Sequence, residues 1–410
     1  MSECVRWLIL EAPRAATIAE VLHGFVCRLN EAGFDCLRLN LQVRPLSPQV
    51  AAAVFAWTPS ERGPKLSTLA RVVDSTREQF DGGLVTVTSL GHGAFQSEAF
   101  RVSPFFPIII GGTGEVRRPL TPDQTTFEFP ILGDLHELGA TDYLARPISF
   151  HETALGAISV ATRRPGGFSE AQLELFRSAL PALSLSLSPR VVSYAMHALL
   201  GAYLGPKTAE RVLAGQVQRG DVEEIDAVVW FSDLRGFTPM TAGASPRDLI
   251  AWLNEYFAAV ARGIGKHDGE ILKFIGDAIL AVWPVAGARS PEATCRAALA
   301  AARDANAELD SLNQARSLRG LPLLQHGIGL HIGPVQYGNI GAEQRLDFTV
   351  IGSAVNMASR LEGATGKLGA RVIASAEFAA EAKGALTRIG EVELKGVPGT
   401  QAVFGLTESS

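Results

Sequence analysis

The chain has 410 residues, of which 47% are hydrophobic and 19% charged, a composition typical of folded proteins and not of disordered ones. Its length predicts two to three domains, and a net charge of −5 offers no general basic field for nucleic acid or anionic lipid. The four cysteines lack the spacing of a zinc site or a disulfide framework. The apolar run from Trp7 to Leu10 is too short for a signal peptide, and no stretch approaches the roughly 20 apolar residues of a membrane-spanning helix. We therefore expect a cytoplasmic protein that binds neither membranes nor nucleic acid.

The N-terminal half alternates helical and strand patterns. Thr17 followed by Glu20 forms a capping-box pattern, and apolar residues then recur at helical spacing up to Gly33. From Leu37 to Val43 apolar residues alternate with polar ones, which predicts a strand with one buried face. Further strand-like runs lie at 84–88, 143–148 and 156–161, and Ser169 with Gln172 begins another helix. This half is predicted to be α+β.

The order of these elements, ending in GAISVATRRPGGFSEAQLELFRSALPAL, resembles a GAF-type sensory domain over about residues 15–188. The resemblance implies a regulatory domain at 1–188 that responds to a small molecule or another unidentified signal. Leucines alternate with serines at 183–187, between Pro181 and Pro189, which indicates a strand, whereas a GAF-like domain would continue its last helix there. Both interpretations remain open. Residues 189–221 are predicted to form a helical signalling linker.

The C-terminal half begins with a β-rich apolar run, 225–231, that leads to Asp233. A helix begins at Ser245 and Pro246, and it is followed by two strands, 269–274 and 278–283, which flank a turn containing Asp277. A second helix begins at Ser290 and Pro291, and residues 327–332 form a fourth strand. The order β-α-β-β-α-β is that of the ferredoxin-like class. In such a sheet the first strand lies beside the hairpin, so Asp233 and Asp277 can converge, and paired carboxylates suit magnesium. Either aspartate alone would more often cap its own turn.

The segments FSDLRGFT, LKFIGDAILAVW, LDFTVIGSAVNMASRLE and ELKGVPG resemble successive motifs of the class III nucleotidyl cyclase catalytic domain, here 222–410. The resemblance implies that Asp233 and Asp277 hold two divalent ions, Mg²⁺ or Mn²⁺, with the backbone carbonyl of Leu234 as a further ligand. It also implies that the turn formed by Gly236, Phe237 and Thr238 lies against the phosphates.

Asn356 and Arg360 are four residues apart and would project from one face of a helix, where such a pair is usually only a solvated surface pair. The resemblance implies that Asn356 orients the ribose, that Arg360 stabilises charge on the α-phosphate, and that Lys395 binds the distal phosphates. It places Lys273 and Asp347 at the base-reading positions. A lysine donates to a ring nitrogen of adenine and an aspartate accepts from its amino group, whereas guanine would reverse both demands.

The sequence therefore predicts an adenylate cyclase that converts ATP to 3′,5′-cyclic AMP and pyrophosphate. By resemblance it acts as a homodimer with the sites at the interface, where one protomer supplies the metal ligands with Lys273 and the other supplies Asn356 and Arg360 with Asp347. A guanylate cyclase and a catalytically silent nucleotide-binding regulator remain as alternatives. A third alternative makes the N-terminal half a chromophore-binding sensor, for which the candidate attachment residues are Cys27, Cys36, His92, His136 and His151.

Overall fold

The computed structural model describes residues 2–44, 47–59, 72–151, 154–241, 243–287 and 289–406. The chain divides into two compact units, Met1–Tyr203 and Leu204–Ser410. Each unit has its own sheet and its own buried core. None of the helices in the described ranges combines the length and the apolar character needed to cross a membrane.

The N-terminal unit is a seven-stranded sheet with helices on both faces. Its helices are α1 (Glu3–Leu10), α2 (Ile18–Glu31), α3 (Glu98–Arg101), α4 (Phe105–Ile109), α5 (Pro130–Glu137) and α6 (Glu170–Leu204), and two short 3-10 helices cover Ala12–Arg14 and Ala94–Gln96. Its strands are β1 (Cys36–Val43), β2 (Val50–Thr58), β3 (Val72–Phe80), β4 (Gly83–Gly91), β5 (Val116–Pro119), β6 (Asp142–His151) and β7 (Ala154–Thr162). The strand order is β3-β4-β2-β1-β7-β6-β5, with antiparallel neighbours throughout. Helices α1, α2 and α6 cover one face, and α3 to α5 cover the other.

Helices α2 and α6 begin where the capping patterns predict. The Thr17 hydroxyl accepts from the Glu20 amide at 3.1 Å, and the Glu20 carboxylate accepts from the Ala16 amide at 2.6 Å. At the start of α6, the Gln172 side-chain oxygen accepts from the Ser169 amide at 3.0 Å. These bonds satisfy amide groups that a helix leaves unpaired at its N-terminus.

The leucine–serine alternation at 183–187 is helical, because α6 continues through both prolines to Leu204. Leu183 and Leu187, four residues apart, are fully buried, whereas Leu185, two residues from each, is 68% exposed. Residues four apart share one face of a helix and the residue midway between them lies on the opposite face, so this burial pattern is helical. The interpretation of this segment as a strand is therefore wrong. Residues 189–204 of the predicted linker are the last turns of this helix. The GAF-like assignment of the unit stays a prediction.

Strand β1 differs from the prediction in a way that matters for function. The sequence predicts one buried face and one solvated face, but Arg38 and Gln42 on the polar face are each only 6% exposed. The layer formed by α3 to α5 covers that face. Both faces of β1 are therefore inside the unit.

The C-terminal unit is built on an eight-stranded sheet. Its helices are α7 (Pro206–Leu213), α8 (Phe237–Thr241), α9 (Pro246–Lys266), α10 (Pro291–Leu318), α11 (Ser353–Leu368) and α12 (Ala376–Glu381). Its strands are β8 (Val222–Leu234), β9 (Glu270–Ile275), β10 (Ala278–Pro284), β11 (His326–Ala342), β12 (Arg345–Ile351), β13 (Val372–Ala374), β14 (Leu386–Glu393) and β15 (Thr400–Leu406). The order is β14-β15-β13-β11-β8-β10-β9, and β12 pairs with β11.

The β-α-β-β-α-β unit contributes four strands, which in chain order are β8, β9, β10 and β11. In the sheet they lie in the order β11-β8-β10-β9, that is, fourth, first, third and second, and all neighbours are antiparallel. This is the predicted ferredoxin-like arrangement. Helices α9 and α10 pack on one face, and α11 packs on the other. Helix α11 lies close to β11 because Gly329 has no side chain: a Cβ there would come within 2.0 Å of the Ala358 carbonyl oxygen.

Candidate active site

The structure brings Asp233 and Asp277 together at one end of the sheet. Asp233 is the penultimate residue of β8, and Asp277 lies with Gly276 in the two-residue turn between β9 and β10. Gly276 has φ +64°, a left-handed conformation that glycine adopts without strain. Because β10 pairs with β8 so that Ile279 faces Ser232, the turn lies beside Asp233, and the charge of Asp277 acts on the Asp233 carboxyl group.

The electrostatics of this carboxylate pair favour a cation. Burial and the charge of Asp277 raise the pKa of Asp233 to about 6, although the Leu234 amide, which donates to Asp233 Oδ1 at 3.0 Å, opposes the rise. Two carboxyl groups thus share a site with uncompensated negative charge. Among the described residues, no cluster of three or more His, Cys, Asp or Glu side chains could hold a metal ion. A pair of carboxylates still fits magnesium or manganese, because such ions keep several waters and take phosphate oxygens as ligands.

A third carboxyl group, Glu362 on α11, borders this pair and was not singled out by the sequence patterns. Burial and the charge of Asp233 raise the pKa of Glu362 to about 7, while Arg235 lowers it. Gly327, which faces Asp233 in the β11–β8 register, makes room for it: a Cβ there would come within 2.6 Å of Glu362 Oε1. One sequence signal could have indicated this contact: the alternating glycines of HGIGL, because glycines on one face of a strand allow another element to approach it closely.

The predicted phosphate-binding turn follows Asp233 directly. Gly236 adopts φ +69°, and Phe237 begins the short helix α8 and packs its ring against the core. The Arg235 amide donates to the Gln325 carbonyl at 2.7 Å, which ties the turn to the segment before β11. The side chain of Thr238 lies outside the described residues. The backbone of this turn therefore lies next to the carboxylate pair.

Lys273 on β9 and Asp347 on β12 form an ion pair within one chain, with side chains 24% and 60% exposed. The ion pair brings the two predicted base-reading residues together within one chain. The resemblance assigns Lys273 to the half with the metal ligands and Asp347 to the opposite half, and this division stays a prediction.

Asn356 and Arg360 lie on one face of α11, and within the described residues neither side chain makes a hydrogen bond or an ion pair. The Arg360 guanidinium lies beside Gly396, where a Cβ would be 3.4 Å from Nη2, and therefore near the exposed Lys395. Glu362 follows Arg360 by two residues, about 200° around the helix. Because Glu362 faces the carboxylate pair, Arg360 points away from the aspartates of its own chain.

Four of the five candidate chromophore residues have described side chains. Cys36 is buried, and burial raises its pKa well above the usual range for a thiol. Cys27 Sγ lies 3.5 Å from a His23 ring nitrogen, while His92 and His136 each form a hydrogen bond with a backbone carbonyl, at 3.1 and 2.9 Å. The side chain of His151 lies outside the described residues. The chromophore hypothesis stays a prediction.

Comparison with known proteins points to one family. Residues 221–408 match the family model of the adenylate and guanylate cyclase catalytic domain. The chain is 39% identical over 163 residues to adenylate cyclase 1 of Rhizobium meliloti (strain 1021), covering 39% of this chain and 24% of that protein. It is 38% identical over 149 residues to the adenylate cyclase of Anabaena cylindrica, covering 35% and 28%.

Among solved structures, the adenylyl cyclase CyaB from P. aeruginosa aligns with 46% of this chain and 97% of its own, at 26% identity and a TM-score of 0.43. The chain spans about a quarter of the length of the two curated relatives. The matching segment begins just before β8 and ends just after β15, so it covers the sheet that holds the carboxylate pair. Residues 221–408 are therefore similar to the adenylate and guanylate cyclase catalytic domain, the family whose model they match.

Proposed function

We propose that this protein is an adenylate cyclase that converts ATP to 3′,5′-cyclic AMP and pyrophosphate, and that its N-terminal unit regulates this activity. The observation that carries the proposal is the Asp233–Asp277 pair, in which burial and the charge of Asp277 raise the pKa of Asp233. A nucleoside triphosphate brings a divalent cation with it, and a carboxylate pair is suited to hold that cation. The two curated relatives are adenylate cyclases, which supports the same chemistry.

Asp233, Asp277 and the backbone carbonyl of Leu234 would hold the metal ions. When bound, two divalent ions would supply electrostatic stabilisation of the phosphates and favour loss of the proton from the 3′-hydroxyl group. The chain itself contributes position and charge: the turn at Gly236 offers backbone amides to the phosphates, and Lys395 offers an ammonium group to the distal ones. Arg360 presents a planar guanidinium, which suits the equatorial oxygens of the reacting phosphate.

The Lys273–Asp347 pair supports adenine as the base. The ammonium group of Lys273 can donate to adenine N1, and the carboxylate of Asp347 can accept from the adenine 6-amino group. Guanine presents a ring N–H and a carbonyl at those two positions, so both pairings would be lost. In the ligand-free chain the two side chains neutralise each other. Because Asp347 is largely exposed, opening this pair costs only about 0–1 kcal/mol, so it is a weak barrier to the base.

We propose a two-fold homodimer as the active form. Arg360, whose guanidinium lies beside Gly396 and therefore near Lys395, faces away from the Asp233–Asp277 pair of the same chain. A complete site then requires the carboxylate pair of one protomer and Arg360 of the other. A closed two-fold dimer supplies two such sites.

The experiment is a turnover assay of the full-length protein with ATP or GTP and either Mg²⁺ or Mn²⁺, with cyclic nucleotide and pyrophosphate measured together. We expect cyclic AMP as the main product, and a loss of at least about a hundredfold in Asp277→Ala because a metal ligand is removed. The matched control is Asp226→Asn, an exposed aspartate on β8 that should retain normal turnover. Cyclic GMP as the main product would establish the guanylate cyclase instead. Nucleotide binding without either product would establish a silent regulator.

A further inference from the structure

The N-terminal unit contains a cavity of about 200 Å³ between its sheet and the layer formed by α3 to α5. Apolar side chains supply most of its wall, among them Leu90, Phe95, Phe100, Phe105 and Ile131. An engineered apolar cavity of about 150 Å³ holds benzene, so this space suits a ligand of roughly ten non-hydrogen atoms. The floor of the cavity, however, is polar.

The polar floor is one face of β1. Arg38, Asn40 and Gln42 alternate along the strand and all line the cavity. Ser159 on β7 faces Asn40 in the sheet register and lines the cavity as well. Arg38 on β1 and Tyr143 on β6 are both paired with Ala161 on β7, so Tyr143 lies level with Arg38 on the far side of that strand. These residues place a cation, amides and hydroxyl groups on one side of an otherwise apolar space.

Arg38 is the single charged residue among the described residues that line the cavity. It is 6% exposed and makes no hydrogen bond or ion pair within the described part of the chain. Its Nε and the Oδ1 of Asn40 are both buried without a partner. Burial lowers the pKa of Arg38, and Tyr143 together with the exposed Asp134 only partly opposes this. Buried arginines are normally paired, because an unpaired charge in the interior is strongly unfavourable.

We propose that this cavity binds a small monocarboxylate with an apolar body, whose carboxylate accepts hydrogen bonds from Arg38. A carboxylate matches the planar guanidinium and supplies one negative charge, which neutralises the one cation of the cavity. A phosphate ester would bring a second charge that no other described lining residue could neutralise. The apolar wall then contacts the rest of the ligand. This proposal is independent of the cyclase activity, since it concerns binding to the N-terminal unit alone.

The test is calorimetric titration of the full-length protein with phenylacetate, benzoate and hexanoate, each compared with its neutral amide, and with phenyl phosphate. Phenylacetate has about the expected number of atoms. We expect at least one carboxylate to bind about tenfold or more tightly than its amide, because charge-assisted hydrogen bonds are the stronger ones. Phenyl phosphate should bind more weakly than that carboxylate. Equal affinity of every carboxylate and its amide, or tighter binding of phenyl phosphate, would overturn the proposal.

Variants assign the preference to Arg38. Arg38→Met should abolish the preference for the carboxylate, leave amide binding within about threefold, and raise the melting temperature of the ligand-free protein, because it removes a buried unpaired charge. Arg14→Met, which changes an exposed arginine of the same unit, should alter neither property. If Arg38→Met does not fold, Arg38→Gln gives the same comparison. A carboxylate preference that survives in the neutral variant would show that Arg38 does not bind the ligand.

Discussion

Replacing Asp233 by Asn should stabilise the metal-free protein at alkaline pH. In the folded chain, burial and Asp277 raise the pKa of Asp233 from 3.8 to about 6, so folding makes its ionised form unfavourable. Asparagine keeps the size of the side chain and can still accept from the Leu234 amide, but it carries no charge. The substitution therefore removes the repulsion while it retains the shape of the turn.

The magnitude follows from the pKa. A rise from 3.8 to about 6 corresponds to about 3 kcal/mol between the two protonation states. Because Asp233 is only half-buried, solvent screening should reduce the effect on stability to about 1–1.5 kcal/mol. The folded state holds the proton more tightly than the unfolded state does, so the free energy of unfolding decreases as the pH rises between about 4 and 7. The penalty is complete above about pH 7 and mostly absent near pH 4.

Differential scanning calorimetry in excess EDTA measures this effect. For a unit of this size, Asp233→Asn should raise the melting temperature by about 2–6 °C at about pH 8 and by little near pH 4. Magnesium should then stabilise the wild type more than the variant, because only the wild type has both carboxylates. Asp226→Asn, on the same strand, should show neither effect. Equal melting temperatures at about pH 8, or a gain that does not depend on pH, would refute the electrostatic argument.

Three further predictions concern the same unit. Mixing Asp233→Ala chains with Arg360→Ala chains should restore about one quarter of wild-type turnover, since half of the dimers are mixed and each has one complete site; a verified mixed dimer without activity would exclude the shared site. Changing Lys273 to Glu together with Asp347 to Cys should lower the ATP-to-GTP ratio of kcat/KM by about ten- to a hundredfold for each lost pairing, and an unchanged ratio would show that neither residue reads the base. Glu362→Gln should raise the melting temperature above about pH 7, where burial makes the ionised form of Glu362 unfavourable, and not near pH 5; a pH-independent change would contradict its raised pKa.

The C-terminal unit could largely be predicted because its signals are local. Ser245 caps α9 by accepting from the Asp248 amide at 3.2 Å, and the turn at Gly276 and Asp277 joins β9 to β10 as the spacing indicates. The ferredoxin-like class then predicts the order of these strands, and that order places Asp277 beside Asp233. Glu362 was missed because its role depends on how closely α11 approaches β11, and no periodicity reports that distance.

The N-terminal unit was harder to predict for two physical reasons. The helices that cover the polar face of β1 have 4, 5 and 8 residues, too few to show a helical period, so Arg38 was expected on a solvated face. The leucines at 183 and 187 satisfy both a strand period of two and a helical spacing of four. Only packing against the core distinguishes these alternatives, and the core belongs to the tertiary structure.

The close packing of α11 on the sheet limits how the activity of the proposed enzyme could be regulated. With glycines at 327 and 329, this helix lies so close to β11 that it has no clearance to slide or rotate on its own strands. Glu362, facing inward, and Arg360, facing outward, are therefore fixed relative to each other and move with the sheet as one rigid body. Activation would then consist of moving whole catalytic units against each other, since this changes the gap between one protomer's carboxylates and the other's guanidinium without disturbing either half.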